Sequence, residues 1–311
     1  MMTNTSAPTT RLLGLVAATH SPFHADGSLN LPAVERQAAH LLASGVETAF
    51  ICGSTGESHS LRVEERLALA ERWISATRGT TLRVVVHVGS NCLADAQALA
   101  AQAQHLGAAA IAALAPSYFK PRSLEALVAC CADIATAAPG LPFYFYDIPV
   151  MTGVQFSMPD FLAIAADRVP TLAGIKFTNS DLMSYQRCLR AGDGRFDIPW
   201  GVDEYLLAAL AMGATGAVGS SYNFAAPIYR RLITAFGRGD METARTEQFR
   251  SVRLITLLAG YGYMAAAKAA MGFLGVEVGP ARLPNVNLGA EEAQRLRNDL
   301  DEIGFFGWLK G

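Results

Sequence analysis

A chain of 311 residues, 51% hydrophobic and 17% charged, is long enough to bury a large core as one barrel-sized domain or two smaller ones. Its net charge of -2 supplies no basic footprint, which argues against nucleic-acid binding. No window reaches the roughly 18 apolar residues of a membrane helix, and the opening MMTNTSAPTTR lacks the basic-then-apolar pattern of a secretory signal, so the cytoplasm is the expected location.

Short β-rich runs alternate with longer amphipathic ones rich in Ala and Leu. The runs 14–18, 49–52, 83–88, 109–114, 142–146, 172–177, 196–200 and 215–218 read as strands. Helical patterns fall between them at 31–44, 62–78, 93–106, 123–137, 157–167, 181–191 and 203–212, and an eighth follows at 224–237. Asn30-Leu31-Pro32 and Asn179-Ser180-Asp181 read as helix starts, and Gly45, Gly107, Gly192 and Gly213 as helix ends. Continuous apolar strands alternating with helices predict a (β/α)8 TIM barrel. After residue 237 the strand signals stop, so residues 1–237 are expected to form the barrel and 238–311 a C-terminal helical domain.

Five cysteines without C-x-x-C or His/Cys spacing predict reduced thiols and no metal. In a barrel of this kind the chemistry lies at the C-terminal ends of the strands. There the sixth strand carries Lys176, in Leu172-Ala173-Gly174-Ile175-Lys176-Phe177, one of only four lysines in the chain. Burial disfavours the charged ammonium, and a neutral amine is a nucleophile toward ketones, so Schiff-base chemistry is indicated. A structural lysine paired with a buried carboxylate such as Asp203 or Glu204 is the alternative.

Gly53-Ser54-Thr55-Gly56 places two hydroxyls and several N–H groups ahead of a helix. This suits a small anion such as a carboxylate, although an ordinary tight turn reads the same way. Tyr146 closes Phe143-Tyr144-Phe145-Tyr146, with Tyr144 on the same face. It is either a proton relay near the amine or part of a packed aromatic strand. His59, His87 and His105 show no metal spacing and read as structural.

Taken together these motifs, with Tyr146-Asp147-Ile148-Pro149, Gly174-Ile175-Lys176 and Gly216-Ala217-Val218-Gly219-Ser220, resemble the pyruvate-dependent class I aldolases typified by dihydrodipicolinate synthase and N-acetylneuraminate lyase. The resemblance spans almost the whole chain. It implies a barrel with C-terminal helices, a homotetramer and a covalent Schiff base on the lysine without other cofactor. In that family the tyrosine relays protons and the hydroxyl pair holds the keto-acid carboxylate, roles that fall here on Tyr146, Ser54 and Thr55.

"FYFYDIPVMTGV", "GIKFTNSDL" and "GVDEYLLAALAMGATGAVGSSYN" are most similar to the lyases, particularly those of animals. The synthases place an arginine two residues after the Tyr-x-x-Pro proline to clamp a second carboxylate. Pro149-Val150-Met151-Thr152-Gly153 has no cation there. By resemblance Thr178, Gly201, Asp203, Glu204 and Ser220 line the polyol portion of a sugar acid, and Tyr118 contributes near the site, in relatives across a subunit contact. Asp147 departs from the His or Asn of the lyases, with an effect on specificity expected if it faces the pocket. The rival readings are another aldolase or dehydratase acting on a 2-keto-3-deoxy sugar acid, the synthase itself, and a catalytically silent sugar-acid sensor.

Overall fold

Side chains of a strand alternate between its two faces. Both faces are apolar here because one lines a barrel interior and the other meets helices. The computed structural model describes residues 11–310; the stretch 1–10, which carries most of the signal-peptide reading, lies outside the described residues. Seven strands are parallel: β1 (Gly14–Ala18), β2 (Thr48–Ile51), β3 (Arg83–His87), β4 (Ala110–Leu114), β5 (Phe143–Asp147), β6 (Leu172–Phe177) and β7 (Gly216–Gly219). Val16, Phe50, Val85, Ala112, Tyr144, Tyr146 and Val218 pack together in the interior. Leu15, Ile51, Val86, Ile111, Phe145 and Ile175 belong to the separate cluster that the helices cover. Each large apolar side chain buried in this way contributes about 1.5–3 kcal/mol.

The strand order is β6-β5-β4-β3-β2-β1-β7. The remaining expected strand, 196–200, closes the ring between β6 and β7 as isolated bridges at Asp197 and Trp200, not as a regular ladder. Ile175 N–H donates to Asp197 O (3.0 Å), Phe177 N–H to Pro199 O (2.9 Å), and on the other side Val218 N–H donates to Trp200 O (2.7 Å). Pro199 can accept but has no N–H to give, which breaks the ladder without opening the barrel. Helices Ala33–Ala43, Val63–Thr77, Leu93–Leu106, Leu124–Thr136, Met158–Arg168, Leu182–Arg190, Leu206–Met212 and Tyr222–Gly237 follow the successive strands. The architecture is the expected (β/α)8 barrel.

Local chemistry explains where these helices begin and end. Asp181 accepts from Ser184 N–H at 2.9 Å and starts its helix, as side-chain oxygens at this position do. Gly107 and Gly213 end theirs in the left-handed conformation that glycine adopts without strain. The sequence pattern did not reveal one short helix, Pro149–Thr152, in the loop after β5.

Past residue 237 come helices Met241–Gly260, Tyr263–Phe273, Ala290–Glu302 and Phe305–Trp308. Leu254, Leu258, Ala266, Met271, Leu296 and Phe305 join the same apolar cluster as Tyr229 and Leu232 of the last barrel helix. Among the described residues no single helix is long and apolar enough to cross a membrane.

Candidate active site

Ile175 and Phe177 face outward into the helix layer, so alternation turns Lys176 between them into the barrel. It is 3% exposed. Its strand neighbour on β5 is Tyr146, and its Nζ lies 3.5 Å from the centroid of that ring and 4.6 Å from the Phe50 ring. Ring faces attract a cation. Among the described residues no carboxylate forms an ion pair with Lys176, so the pairing with Asp203 or Glu204 weighed above is not the arrangement found.

Beside the amine runs the loop after β2. Cys52 (φ 56°) and Glu57 (φ 55°) both take left-handed backbone, a conformation rare for residues with a Cβ, and between them the loop turns Ser54 and Thr55 to the cavity. Ser54 Oγ lies 3.2 Å from Tyr146 Oη. Gly56 fits closely, because an added Cβ would come within 3.1 Å of the Cys52 backbone.

Two buried groups hold this loop from behind. Leu114 N–H donates to His87 Nε2 (3.3 Å), leaving Nδ1–H to donate to Cys52 O (2.9 Å). Burial, followed by the charge of Arg66, holds the His87 imidazole well below its usual range, and its ring stands edge-on to Tyr146 at 5.8 Å. Glu57 forms a 2.7 Å ion pair with Lys268, and its Oε2 accepts from Arg282 N–H at 2.8 Å.

The far wall is carboxylate-rich. Asp203 and Glu204 form a single helical turn after the bridging segment, and both line the cavity with Thr178, Gly201 and Ser220. Asp203 is buried, and its Oδ2 accepts from the N–H (2.9 Å) and Oγ–H (2.5 Å) of Ser221. Burial pushes its carboxyl up to about 6. Thr178 Oγ1 is buried without a hydrogen-bond partner, which leaves it one to offer to a ligand. Ser220 Oγ lies 2.6 Å from Tyr263 Oη.

Together these groups enclose about 750 Å³ at the strand ends, within the range of small-molecule sites. A depression of about 830 Å³ on the outer flank, around Arg187, Arg190 and Arg195, holds none of the expected residues. Among the described residues no three His, Cys, Asp or Glu side chains converge as metal ligands.

Two residues named from the sequence lie outside the cavity of this single chain, Tyr118 with an expected role across a subunit contact and Asp147 with a role only if it faces the pocket. Tyr118 is 78% exposed and packs edge-on against Phe119, outside this cavity. Asp147 continues the outward face of β5 and does not line the cavity; it accepts from Asn179 Nδ2 at 3.3 Å. Conversely, Gln155, Ile255, Tyr263 and Met264 line the cavity without having been anticipated. The break Gly260-Tyr261-Gly262 between two apolar helices was the available signal for the last two.

A parallel barrel with a buried amine at its strand ends, facing hydroxyls on one side and carboxylates on the other, is equipped for carbonyl chemistry on a small polar acid. The chain belongs to the dihydrodipicolinate synthetase family, whose model matches residues 11–303. It is 40% identical over 302 residues to the N-acetylneuraminate lyase of Mus musculus, covering 96% of this chain and 94% of that protein. With the N-acetylneuraminate lyase of Gallus gallus it shares 37% identity over 300 residues, covering 95% and 97%. Among solved structures, the N-acetylneuraminate lyase of Proteus mirabilis superposes with a TM-score of 0.93 at 41% identity, covering 95% of this chain and 100% of that one. That of Aliivibrio salmonicida gives 0.92 at 42%, covering 95% and 98%.

Proposed function

We propose that this protein is a class I aldolase that cleaves N-acetylneuraminate reversibly to N-acetylmannosamine and pyruvate. The observation that carries the reading is the buried Lys176 amine beside Tyr146, with the Ser54–Thr55 hydroxyls on one side and the Asp203–Glu204 carboxylates on the other. Similarity to N-acetylneuraminate lyases over nearly the whole chain supports the substrate.

Lys176 attacks the C2 ketone of the open-chain sugar acid, and Tyr146 and Ser54 relay the protons that let water leave. Ser54 and Thr55 hold the substrate carboxylate. The resulting iminium draws electrons from the C3–C4 bond as Tyr146 takes the C4 hydroxyl proton. That bond breaks, the C4 end departs as the aldehyde of N-acetylmannosamine, and an enamine remains on the lysine. Protonation at C3 and addition of water then release pyruvate and the free amine. The iminium is itself the electron sink, so none of these steps calls for a metal or organic cofactor.

Thr178, Gly201, Asp203, Glu204 and Ser220 serve the polyol in this reading, because hydroxyl hydrogens need acceptors and a second anion would be repelled. The helices beyond residue 237, assigned as the C-terminal domain, close the mouth with Ile255, Tyr263 and Met264. The assembly is a cytoplasmic homotetramer in which the exposed Tyr118 reaches the site of a neighbouring copy; light scattering after gel filtration measures the tetramer.

The test is to incubate the protein with pyruvate, reduce with borohydride and map the adduct. The expected site is Lys176, and an unmodified Lys176 would overturn the mechanism. Preferred turnover of 2-keto-3-deoxygluconate over N-acetylneuraminate would leave the mechanism and remove the substrate.

A further inference from the structure

Tyr263 is the first residue of the helix Tyr263–Phe273. Gly262 precedes it at φ 78°, and the axis turns by 114° from the helix before. This reversal carries the Tyr263 ring from outside the barrel over its mouth, where it lines the cavity beside Ile255 and Met264. Its hydroxyl stands 2.6 Å from Ser220 Oγ. Burial, then the charge of Asp203, with Glu204 adding less, push the phenol up against the opposing Ser220 hydrogen bond, so it keeps its proton throughout the working pH range.

Two hydroxyls in contact hold two protons and use only one between them. Whichever of Tyr263 and Ser220 donates to the other, one O–H is left to point onward. Asp203 Oδ2 is already taken by Ser221, which leaves that O–H for another acceptor in the cavity. The same cavity is lined by Glu204 and Asp203, whose carboxylate oxygens only accept when ionised. The cavity therefore offers a donor and acceptors together, and a chain of vicinal hydroxyls uses both. Pyruvate, with no hydroxyl, uses neither. Ile255 and Met264 supply apolar cover for the C–H side of such a chain.

We infer that Tyr263 is a specificity-determining residue that acts with Ser220 as one unit to select a long polyhydroxylated substrate. The inference rests on the sugar-acid reading of this cavity given above.

Tyr263→Phe removes one oxygen and keeps the ring. In the full-length enzyme, kcat/KM for N-acetylneuraminate is expected to fall about tenfold, chiefly through KM, the effect of losing one directed hydrogen bond. The six-carbon 2-keto-3-deoxygluconate is expected to lose about twofold or less, and borohydride trapping of pyruvate on Lys176 to keep its rate. Equal losses on both sugar acids, or no loss on either, would overturn the inference. In a Ser220→Ala background the second substitution is expected to add less than about twofold, and full additivity would break the pairing. A wild-type enzyme that traps pyruvate but leaves N-acetylneuraminate uncleaved overturns the functional reading and this inference with it. A wild-type enzyme that cleaves it while Tyr263→Phe is indistinguishable overturns this inference alone.

Discussion

Lys176 and Tyr146 are direct neighbours across β5 and β6, and the lysine Nζ lies 3.5 Å from the centroid of the tyrosine ring. The ring contributes its face to the amine, while its hydroxyl extends to Ser54 Oγ at 3.2 Å. Packing and proton relay are therefore separable functions of one side chain. Tyr146→Phe keeps the ring and is expected to leave the urea midpoint unchanged. It should slow both pyruvate adduct formation and cleavage by about 10²–10⁴, the usual contribution of a positioned acid or base. Stopped-flow trapping with borohydride checks the first rate. A variant within about threefold of wild type would mean that the hydroxyl carries no proton in either step.

Close packing around two glycines sets the far wall. A Cβ on Gly201 would meet Thr178 Oγ1, and one on Gly219 would meet Asp203 Oδ1, both at far less than a van der Waals contact. Gly201→Ala is expected to displace Thr178 and raise KM for the sugar acid about tenfold or more, with pyruvate trapping affected less. Gly219→Ala is expected to dislodge Asp203 from Ser221 and lower both stability and sugar-acid turnover. Steady-state kinetics with a urea melt of each variant distinguishes the two. An unaltered KM in Gly201→Ala would show that Thr178 does not meet the substrate.

Much of this was legible because the barrel imposes alternation on every strand. Lys176 between Ile175 and Phe177 is an inward charge on a doubly buried strand, and such a residue stands out in sequence. The closing segment was legible as a strand, but the ladder was not, because Pro199 removes a donor that the pattern of apolar residues does not register. Asp147 was harder. The reading of its motif left its face open, and one residue along a strand from Tyr146 means the opposite face. The contacts of Tyr263 and Glu57 were out of reach for a different reason, although the break at Gly260-Tyr261-Gly262 marked the turn before Tyr263. Their partners, Ser220 and Lys268, come from distant parts of the chain, and nothing local in Gly-Tyr or Gly-Glu marks such a contact.

The Glu57–Lys268 pair ties the hydroxyl loop to a helix past the barrel. Both side chains are almost fully buried, at 1% and 2% exposed. Lys268 Nζ also donates to Ser21 O (3.0 Å) and Pro280 O (2.7 Å). Removing one member strands a buried charge, which costs about 3–5 kcal/mol, whereas replacing both with apolar groups costs far less. Lys268→Met is expected to lower the urea midpoint sharply, and Glu57→Gln with Lys268→Met to recover part of the loss. A double variant no more stable than the single one would show that the backbone contacts of Lys268, and not its charge, hold the loop.

Asp147 tests the assignment of faces. Burial pushes its carboxyl up from the ordinary 3.8 to about 6, with the Asn179 hydrogen bond opposing. The folded state thus holds this proton more tightly than the unfolded chain does. The resulting stabilisation is full below about pH 3.8 and is lost as pH rises through about 6, a difference of about 3 kcal/mol at most. Asp203 shifts in the same direction and adds its own decline over the same window. Asp147→Asn, which is never charged, is expected to be more stable than wild type at pH 7 by about 2–3 kcal/mol and equal to it near pH 4, in urea melts at the two pH values. Because the carboxyl faces away from the cavity, the ratio of turnover between N-acetylneuraminate and 2-keto-3-deoxygluconate should stay within about twofold of wild type. A changed ratio with unchanged pH dependence would put Asp147 on the pocket side of its strand after all.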